Sequence, residues 1–247
     1  MKADPFAQRR LLDLQAIDTD LDRARYRAAH LPEAVAAAEA ARLLAKVQDQ
    51  QVAISTELSD VKRELTRAEH DVATVRARAD RDRSRLASGE ITSSKALTDL
   101  EHEVESLARR QRDLEDAELA VMEQVEELET ALAAGEQEAA KAQQTLVEAR
   151  QAQAAAAAEL ERDVADLQQR QAAVRPELPA ELVALYDRLR ADGMPVAAGL
   201  VRYGRCESCQ MELSRADLSA VRSAPVDEVV RCPECRAIMV RTEESGL

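Results

Sequence analysis

From Ile54 the apolar residues recur at alternating steps of four and three: Ile54, Leu58, Val61, Leu65, Ala68, Val72, Val75 and Ala79. That spacing puts them on one narrow stripe of a helix, the kind of stripe that a single partner helix covers. A second stripe runs through Leu97, Leu100, Val104, Leu107, Leu114, Val121, Val125, Leu128, Leu132, Ala139, Ala142 and Leu146. Gln111, Glu118 and Gly135 interrupt it. Polar residues in such a seam weaken it while fixing its register, and Gly135 is expected to soften the helix.

Between the stripes lies "LASGEITSSK", residues 86–95, the one turn-like stretch in the middle of the chain. Gly89 takes a left-handed conformation cheaply and so ends a helix, while Thr92, Ser93 or Ser94 can cap the next. The pattern predicts an antiparallel helical hairpin with its tip there. A mirror about residue 90 then places Pro32 opposite about residue 148. Pro32 follows a first helix carrying Leu14, Ile17, Leu21, Ala24 and Ala28, and it marks a kink or restart, since proline fits the first turn of a new helix. "QAQAAAAAELERDVADLQQR" continues the returning arm to about residue 172, and Pro176 and Pro179 in "VRPELPAE" end it. A short amphipathic helix follows, with Leu182, Leu185, Tyr186 and Leu189 on one side.

The remainder mixes strand-like runs ("VAAGLV", "DEVV", "AIMV") with all four cysteines and reads as a separate small module. The expected division is a coiled-coil hairpin over 1–172, a linker with a short helix over 173–195, and a cysteine-bearing module with a short tail over 196–247. The expected fold class is mainly α, a long antiparallel coiled-coil hairpin followed by a small β-rich domain that carries the cysteines.

Composition supports helices over a thick core. The chain has no Trp, one Phe and three Tyr, with 33% charged residues. A formal charge of −13 disfavours generic binding to nucleic acid or anionic membrane. "MKADPFAQRRLLDLQ" lacks the apolar core of a signal peptide, and no run approaches the ~18 apolar residues of a membrane span. A cytoplasmic location without membrane association is expected. Cytosolic thiols stay reduced, so close cysteine pairs there are read as metal ligands before disulfides.

Cys206, Cys209, Cys232 and Cys235 form C-x2-C-x22-C-x2-C. A two-residue gap lets a tight turn aim both sulfurs at one ion, and two such knuckles complete a tetrahedral zinc site with sulfurs ~2.3 Å from the metal. Four thiolates fill the coordination sphere, so the expected zinc is single and structural. Iron in a rubredoxin-like site is a rival, but that fold calls for an aromatic core and only Tyr203 is at hand. A redox dithiol is another, but it calls for one pair on the helix N-terminus of a thioredoxin-like fold. The module has about 45 residues and little apolar bulk, so coordination is expected to supply much of its folding free energy.

"LPAELVALYDRLRADGMPVAAGLV", "GRCESCQMELS", "VVRCPECRAIMV" and the turn region "ITSSKALTDLEHEVESLARRQ" together resemble a bacterial family of coiled-coil hairpin proteins ending in a C4-type zinc ribbon. The resemblance covers nearly the whole chain and carries the family's cysteine ligands onto Cys206, Cys209, Cys232 and Cys235. Where such ribbons often have glycine after the second cysteine pair, this chain has Arg236. The resemblance implies an adaptor or regulatory role with protein and nucleic-acid partners.

Three surfaces are candidates for that role. Arg202, Arg205, Arg231 and Arg236 flank the knuckles and offer a nucleic-acid face. Against this, residues 202–241 hold seven arginines and six acids, and a tetrathiolate zinc adds two negative charges, leaving the ribbon one charge negative. "RARADRDRSR" places Arg76, Arg78, Arg81, Arg83 and Arg85 beside the hairpin tip, with "RRQR" at 109–112 returning past them. Such arginines commonly form a solvated face paired to Asp80 and Asp82. The tip itself exposes Ser88, Gly89 and Lys95, where loops concentrate function. His30, His70 and His102 are scattered as surface residues, and no phosphate-binding, serine-hydrolase or zinc-protease motif occurs. The expected activity is therefore a non-enzymatic adaptor or scaffold binding a protein, with an RNA- or DNA-binding regulator as the alternative. The seams suit a monomer or a dimer.

Overall fold

The computed structural model describes residues 1–246. The described chain runs α1 (Pro5–Ala29), α2 (Pro32–Ala87), α3 (Ser94–Val174), a 3₁₀ turn (Arg175–Glu177), α4 (Ala180–Ala191), β1 (Ala198–Arg202), β2 (Arg205–Cys206), α5 (Arg215–Ser223), β3 (Val230–Arg231), β4 (Ile238–Val240) and a 3₁₀ turn (Glu243–Ser245). The fold is mainly α, two long helices forming a hairpin and then a small strand-containing region. No described helix is long and apolar enough to cross a membrane.

Packing groups the chain otherwise than the 1–172, 173–195 and 196–247 division drawn from sequence. One compact unit is Met1–Ala34 with Gln151–Leu247, and the other is Val35–Arg150. The reason is α1. Its buried face (Ala7, Gln8, Leu11, Leu14, Gln15, Ile17, Asp18, Leu21, Ala24) is wider than a two-helix seam needs. Leu11, Leu14, Ile17 and Leu21 share one core with Val174, Leu178, Leu182, Tyr186 and Leu189, and also with Ala197, Ala198, Val229 and Ile238 beside and within the sheet. The sheet region thus shares a core with α1 and α4. The N-terminus is tied to it as well, with Ala3 N donating to Asp227 O at 2.7 Å and Val229 N donating to Met1 O at 3.1 Å.

Three polar residues hold α1 in this core. Gln15 Oε1 accepts from Ala197 N at 2.7 Å, and Gln15 Nε2 donates to Pro195 O at 3.0 Å, so one side chain satisfies the backbone leading into β1. Asp18, 6% exposed, accepts from Tyr186 Oη at 2.7 Å and from Gln171 Nε2 at 2.5 Å. Burial, and then the Asp18 carboxylate, push the Tyr186 hydroxyl well above its ordinary pKa, keeping it a proton donor. Arg190 donates to Asp22 and to Pro195 O, closing the end of α4. Of the residues expected on the inner face of the first helix, Ala28 is instead exposed, because the buried stripe ends at Ala24, a turn short of the break at His30 and Leu31.

In the second unit the seams hold. Leu58 and Ala79 on α2 and Leu107, Val125, Ala142 and Leu146 on α3 are buried, and the other seam residues are half-buried. Leu97 departs from the seam and is 37% exposed, one turn into α3 where it borders the connection. Gln111 sits half-buried and donates to Glu115 at 2.7 Å, while α3 continues unbroken through Gly135, against which Gln51 packs.

The arms do not pair as a strict mirror about residue 90. Arg78 meets Glu103 beside the turn, yet Ala40 and Leu44 pack with Ala142 and Leu146. Pro32 lines a recess with Ala156 and Leu160, not with a residue near 148. Side chains lean toward the N-terminus of their own helix, so in an antiparallel pair the touching residue on the returning arm lies farther from the turn than its mirror position.

Candidate metal centre

Two of the four strands, β1 and β4, run parallel in the middle of a sheet ordered β2-β1-β4-β3. β1 turns into β2 through Tyr203 and Gly204, both at positive φ (47° and 75°), the two-residue hairpin geometry for which glycine is favoured. β3 is shorter than "DEVV" suggested because Val229 N and Glu228 pair with the N-terminal segment instead. β1 starts only at Ala198 because Gln15 occupies the N–H groups of Ala197 and Ala198.

Each cysteine pair closes a tight turn at one end of this sheet. In the first, Gln210 N donates to Cys206 O at 2.7 Å, and in the second Arg236 N donates to Cys232 O at 2.9 Å. Gln210 (φ 63°) and Arg236 (φ 66°) are both left-handed, so each pair is followed by the same backbone shape and Arg236 takes the conformation glycine would. The backbone N–H groups of Cys209 and Ser208 beside Cys206, and those of Cys235 and Glu234 beside Cys232, pull the two thiols' pKa down. Such donors favour thiolate over thiol.

All four sulfurs lie within 4.8 Å of one another. Cys206 Sγ is 3.9 Å from Cys235 Sγ, and Cys209 Sγ is 4.0 Å from Cys232 Sγ. A regular tetrahedron with metal–sulfur distances of ~2.3 Å has edges of roughly 3.8 Å, so the sulfurs stand where zinc needs them. The residues fit the ion, and a C4 ribbon with this donor set holds one structural zinc. Without metal, burial raises the Cys206 thiol, and burial together with the neighbouring thiols pushes Cys235 up to about 12. Burial acts the same way on Cys232, but the N–H groups of Cys235 and Glu234 outweigh it and leave that thiol below its ordinary value. Zinc uptake at neutral pH therefore releases protons from the centre.

The ribbon also has the apolar packing that its composition concealed. Val201, Leu213, Val221 and Met239 pack around Cys206 and Cys232, and Met239 is fully buried. Arg241 clasps the loop after α5, its guanidinium donating to the carbonyls of Val221, Ala224, Pro225 and Glu228. Gly199 was not legible as part of the site. A Cβ there would fall against Ser208 Oγ and 3.0 Å from Ser208 N, so β1 carries glycine where the first knuckle rests on it. Ser208 Oγ is itself buried with no hydrogen-bond partner among the described residues. Gly199→Ala is expected to overpack this contact and lower the stability of the zinc-loaded protein by about 1–3 kcal/mol. Thermal unfolding measures it, and an unchanged midpoint would show that the knuckle simply shifts aside.

The arginines are more neutralised than their sequence clustering suggests. Arg202 pairs with Glu207 and Glu244, each at 3.2 Å, and Arg205 lies 4.0 Å from Glu212. Arg231 Nε donates to Arg236 O at 2.9 Å. Near the turn, Arg78 bonds to Glu103 across the hairpin, Arg83 to Asp80, and Arg85 lies 3.6 Å from Asp82. Arg76 and Arg81 form no ion pair among the described residues, and Ser88, Gly89 and Lys95 are exposed.

Known proteins share both parts of this architecture. A model of the CT398-like coiled coil hairpin domain matches residues 14–194, and one of the C4-type zinc ribbon domain matches residues 205–239. The Mycobacterium tuberculosis (strain ATCC 25618 / H37Rv) protein Rv2229c is 39% identical over 243 residues, 98% of each chain. ML1638 of Mycobacterium leprae (strain TN) is 33% identical over 227 residues, 92% of this chain and 97% of that one. A solved Mycobacterium smegmatis structure matches with a TM-score of 0.83 at 35% identity, covering 98% of this chain and 100% of that one. CT398 from Chlamydia trachomatis shares the fold, with a TM-score of 0.69 at 15% identity and coverage of 96% and 98%. The chain therefore belongs to the family of CT398-like coiled coil hairpin proteins, and it ends in a C4-type zinc ribbon.

Proposed function

We infer that the chain is a non-enzymatic cytoplasmic adaptor, docking a protein through its ribbon and its helical hairpin. Sulfur takes all four positions of the zinc, which leaves no site on the metal for water or substrate, so the ion serves to fix a surface. The observation that carries the reading is what the fixed surface displays. Tyr203 is 79% exposed on the β1–β2 turn, and Met211 is 53% exposed on the segment whose carbonyl accepts from Cys206 N. An aromatic and a methionine held in solvent beside a rigid turn suit a protein interface, where such residues are enriched. The exposed turn at Ser88, Gly89 and Lys95 offers a second contact. Nucleic acid is the lesser reading because Arg202 and Arg205 already face carboxylates.

Affinity capture of the zinc-loaded chain from its own lysate, with and without nuclease, tests this. Defined proteins should survive nuclease treatment and disappear when Tyr203→Ser and Met211→Ser are introduced together, while zinc content stays at one per chain. A catch that vanishes with nuclease would instead establish the nucleic-acid reading.

A further inference from the structure

The two edges of the sheet end differently. Beyond β3, residues 1–3 lie alongside as an added strand, with Ala3 N donating to Asp227 O, Val229 N donating to Met1 O, and Lys2 standing opposite Glu228. That strand is a basic residue between two apolar ones, and Lys2 Nζ bonds to Asp227 at 2.9 Å. Beyond β2 the outermost segment is residues 211–213. Cys206 N donates to Met211 O at 3.0 Å, Leu213 N donates to Gly204 O at 2.9 Å, and Glu212 stands opposite Arg205. In an antiparallel ladder two such bonds bracket a pair that is not itself hydrogen-bonded, so the N–H and C=O of each member point away from the other. The Glu212 N–H and C=O therefore face outward from the sheet, and neither has a partner among the described residues. Met211 is exposed and so is the Glu212 side chain, at 76%, which leaves this edge open.

We propose that this edge takes an extended segment of a partner protein as a further antiparallel strand, with a lysine or arginine opposite Glu212 and an apolar residue on either side of it. The proposal rests on the reading that the ribbon docks a protein, and it specifies how. An added strand supplies the acceptor and the donor that the Glu212 N–H and C=O lack, the mode by which extended peptides join sheet edges. Side chains directly opposite one another on neighbouring strands share a row, so Arg205, Glu212 and the incoming residue stand in line. A cation there places Glu212 between two opposite charges, and Arg205, 4.0 Å from the carboxylate, leaves it open to one. The apolar neighbours of that cation fall beside Met211 and Leu213, because successive side chains alternate between faces. The sheet already accepts this pattern, apolar, basic, apolar, from residues 1–3 on its other acidic edge. A second copy of the chain suits the edge poorly. Antiparallel pairing of two copies about this point would set Glu212 against Glu212, and like charges directly opposite are destabilising.

Titration of the full zinc-loaded chain, labelled with nitrogen-15, tests the proposal. The probe is the peptide acetyl-Thr-Val-Lys-Val-Thr-amide, taken to about 5 mM to reach weak affinities. It should shift the backbone amide signals of Met211, Glu212 and Leu213 and slow the exchange of the Glu212 N–H with solvent. The same peptide with glutamate in place of lysine should bind on the order of tenfold more weakly. Glu212→Pro removes the outward N–H while leaving the bonds of Met211 and Leu213 to β2 and its turn, and it should abolish the shifts with zinc still at one per chain. Glu212→Lys keeps the N–H and should reverse the preference in favour of the glutamate peptide, a result that does not depend on the proline variant folding. Absence of shifts at residues 211–213, a preference that Glu212→Lys leaves unchanged, or a dimer of the chain alone that Glu212→Pro dissolves would each overturn the proposal. If the peptide fails while nuclease-resistant proteins still require Tyr203 and Met211, strand addition falls and protein docking stands. If the peptide binds as expected and no protein is captured, the edge remains a strand acceptor and the adaptor reading falls.

Discussion

Cys232→Ser is expected to reduce zinc from one per chain to nearly none and to unfold the ribbon locally. Structural zinc in small zinc-finger peptides is worth roughly 10–16 kcal/mol of binding free energy, comparable to the ~5–15 kcal/mol stability of a whole domain. The six-residue cluster around Cys206 and Cys232 offers too little apolar burial to replace it. Backbone amides of β1 through β4 should then exchange rapidly with solvent. Those of the α2–α3 hairpin unit should not, since its buried residues lie within Val35–Arg150. Helix α1 should be affected in part, losing Ala197, Ala198 and Ile238 as neighbours while keeping Leu182 and Tyr186. Hydrogen exchange with mass spectrometry, alongside metal analysis, reads all three regions. Slow exchange across residues 198–240 in the zinc-free variant would mean that the ribbon's apolar cluster holds it and that zinc only trims the structure.

Tyr186→Ala should cost about 3–5 kcal/mol, the range for deleting a buried aromatic ring. The ring is fully buried in the core shared by α1, α4 and the sheet, and its hydroxyl bonds to buried Asp18. Removal leaves a cavity and also strips that carboxylate of one of its two donors, Gln171 being the other. Tyr186→Phe separates the contributions, because it keeps the ring and loses only the hydrogen bond, for about 1–3 kcal/mol. Urea unfolding of the three proteins makes the comparison. If the alanine variant were no less stable than the phenylalanine variant, packing at this site would carry no weight.

Legibility in the sequence followed the range over which each feature is encoded. The seams through Leu58 and Leu107 are written in local period, and the cysteine pairs in local spacing, so both could be read without a structure. The embrace of α1 and the ribbon could not, because Gln15 and Ala197 are 182 residues apart and neither carries a motif. One signal was present, however. Gln8 and Gln15 stand seven residues apart among Ala7, Leu11, Leu14, Asp18 and Leu21, giving a stripe too broad and too polar for a lone partner helix. Gly199 is illegible for another reason. A glycine required by close approach looks in sequence like any other glycine, and only the knuckle resting on β1 explains it. For the arginines the reverse holds, since their clustering is visible in sequence and the carboxylates facing Arg202, Arg205 and Arg78 are not.

The pairing of the first residues with the last part of the chain also sets an order of events at the ribosome. Helix α1 emerges first with Leu11, Leu14 and Leu21 exposed, and Val174, Leu182 and Tyr186 arrive only after both long helices have been made. At ~5–20 residues per second, the roughly 180 residues separating Gln15 from Ala197 take on the order of 10 to 40 s to synthesise. For most of that interval, until Val174 and the residues after it emerge, the apolar face of α1 lacks these core partners. Helix α1 therefore stays sticky until the end of α3 and α4 have been made, and it is where a holding chaperone would have reason to sit.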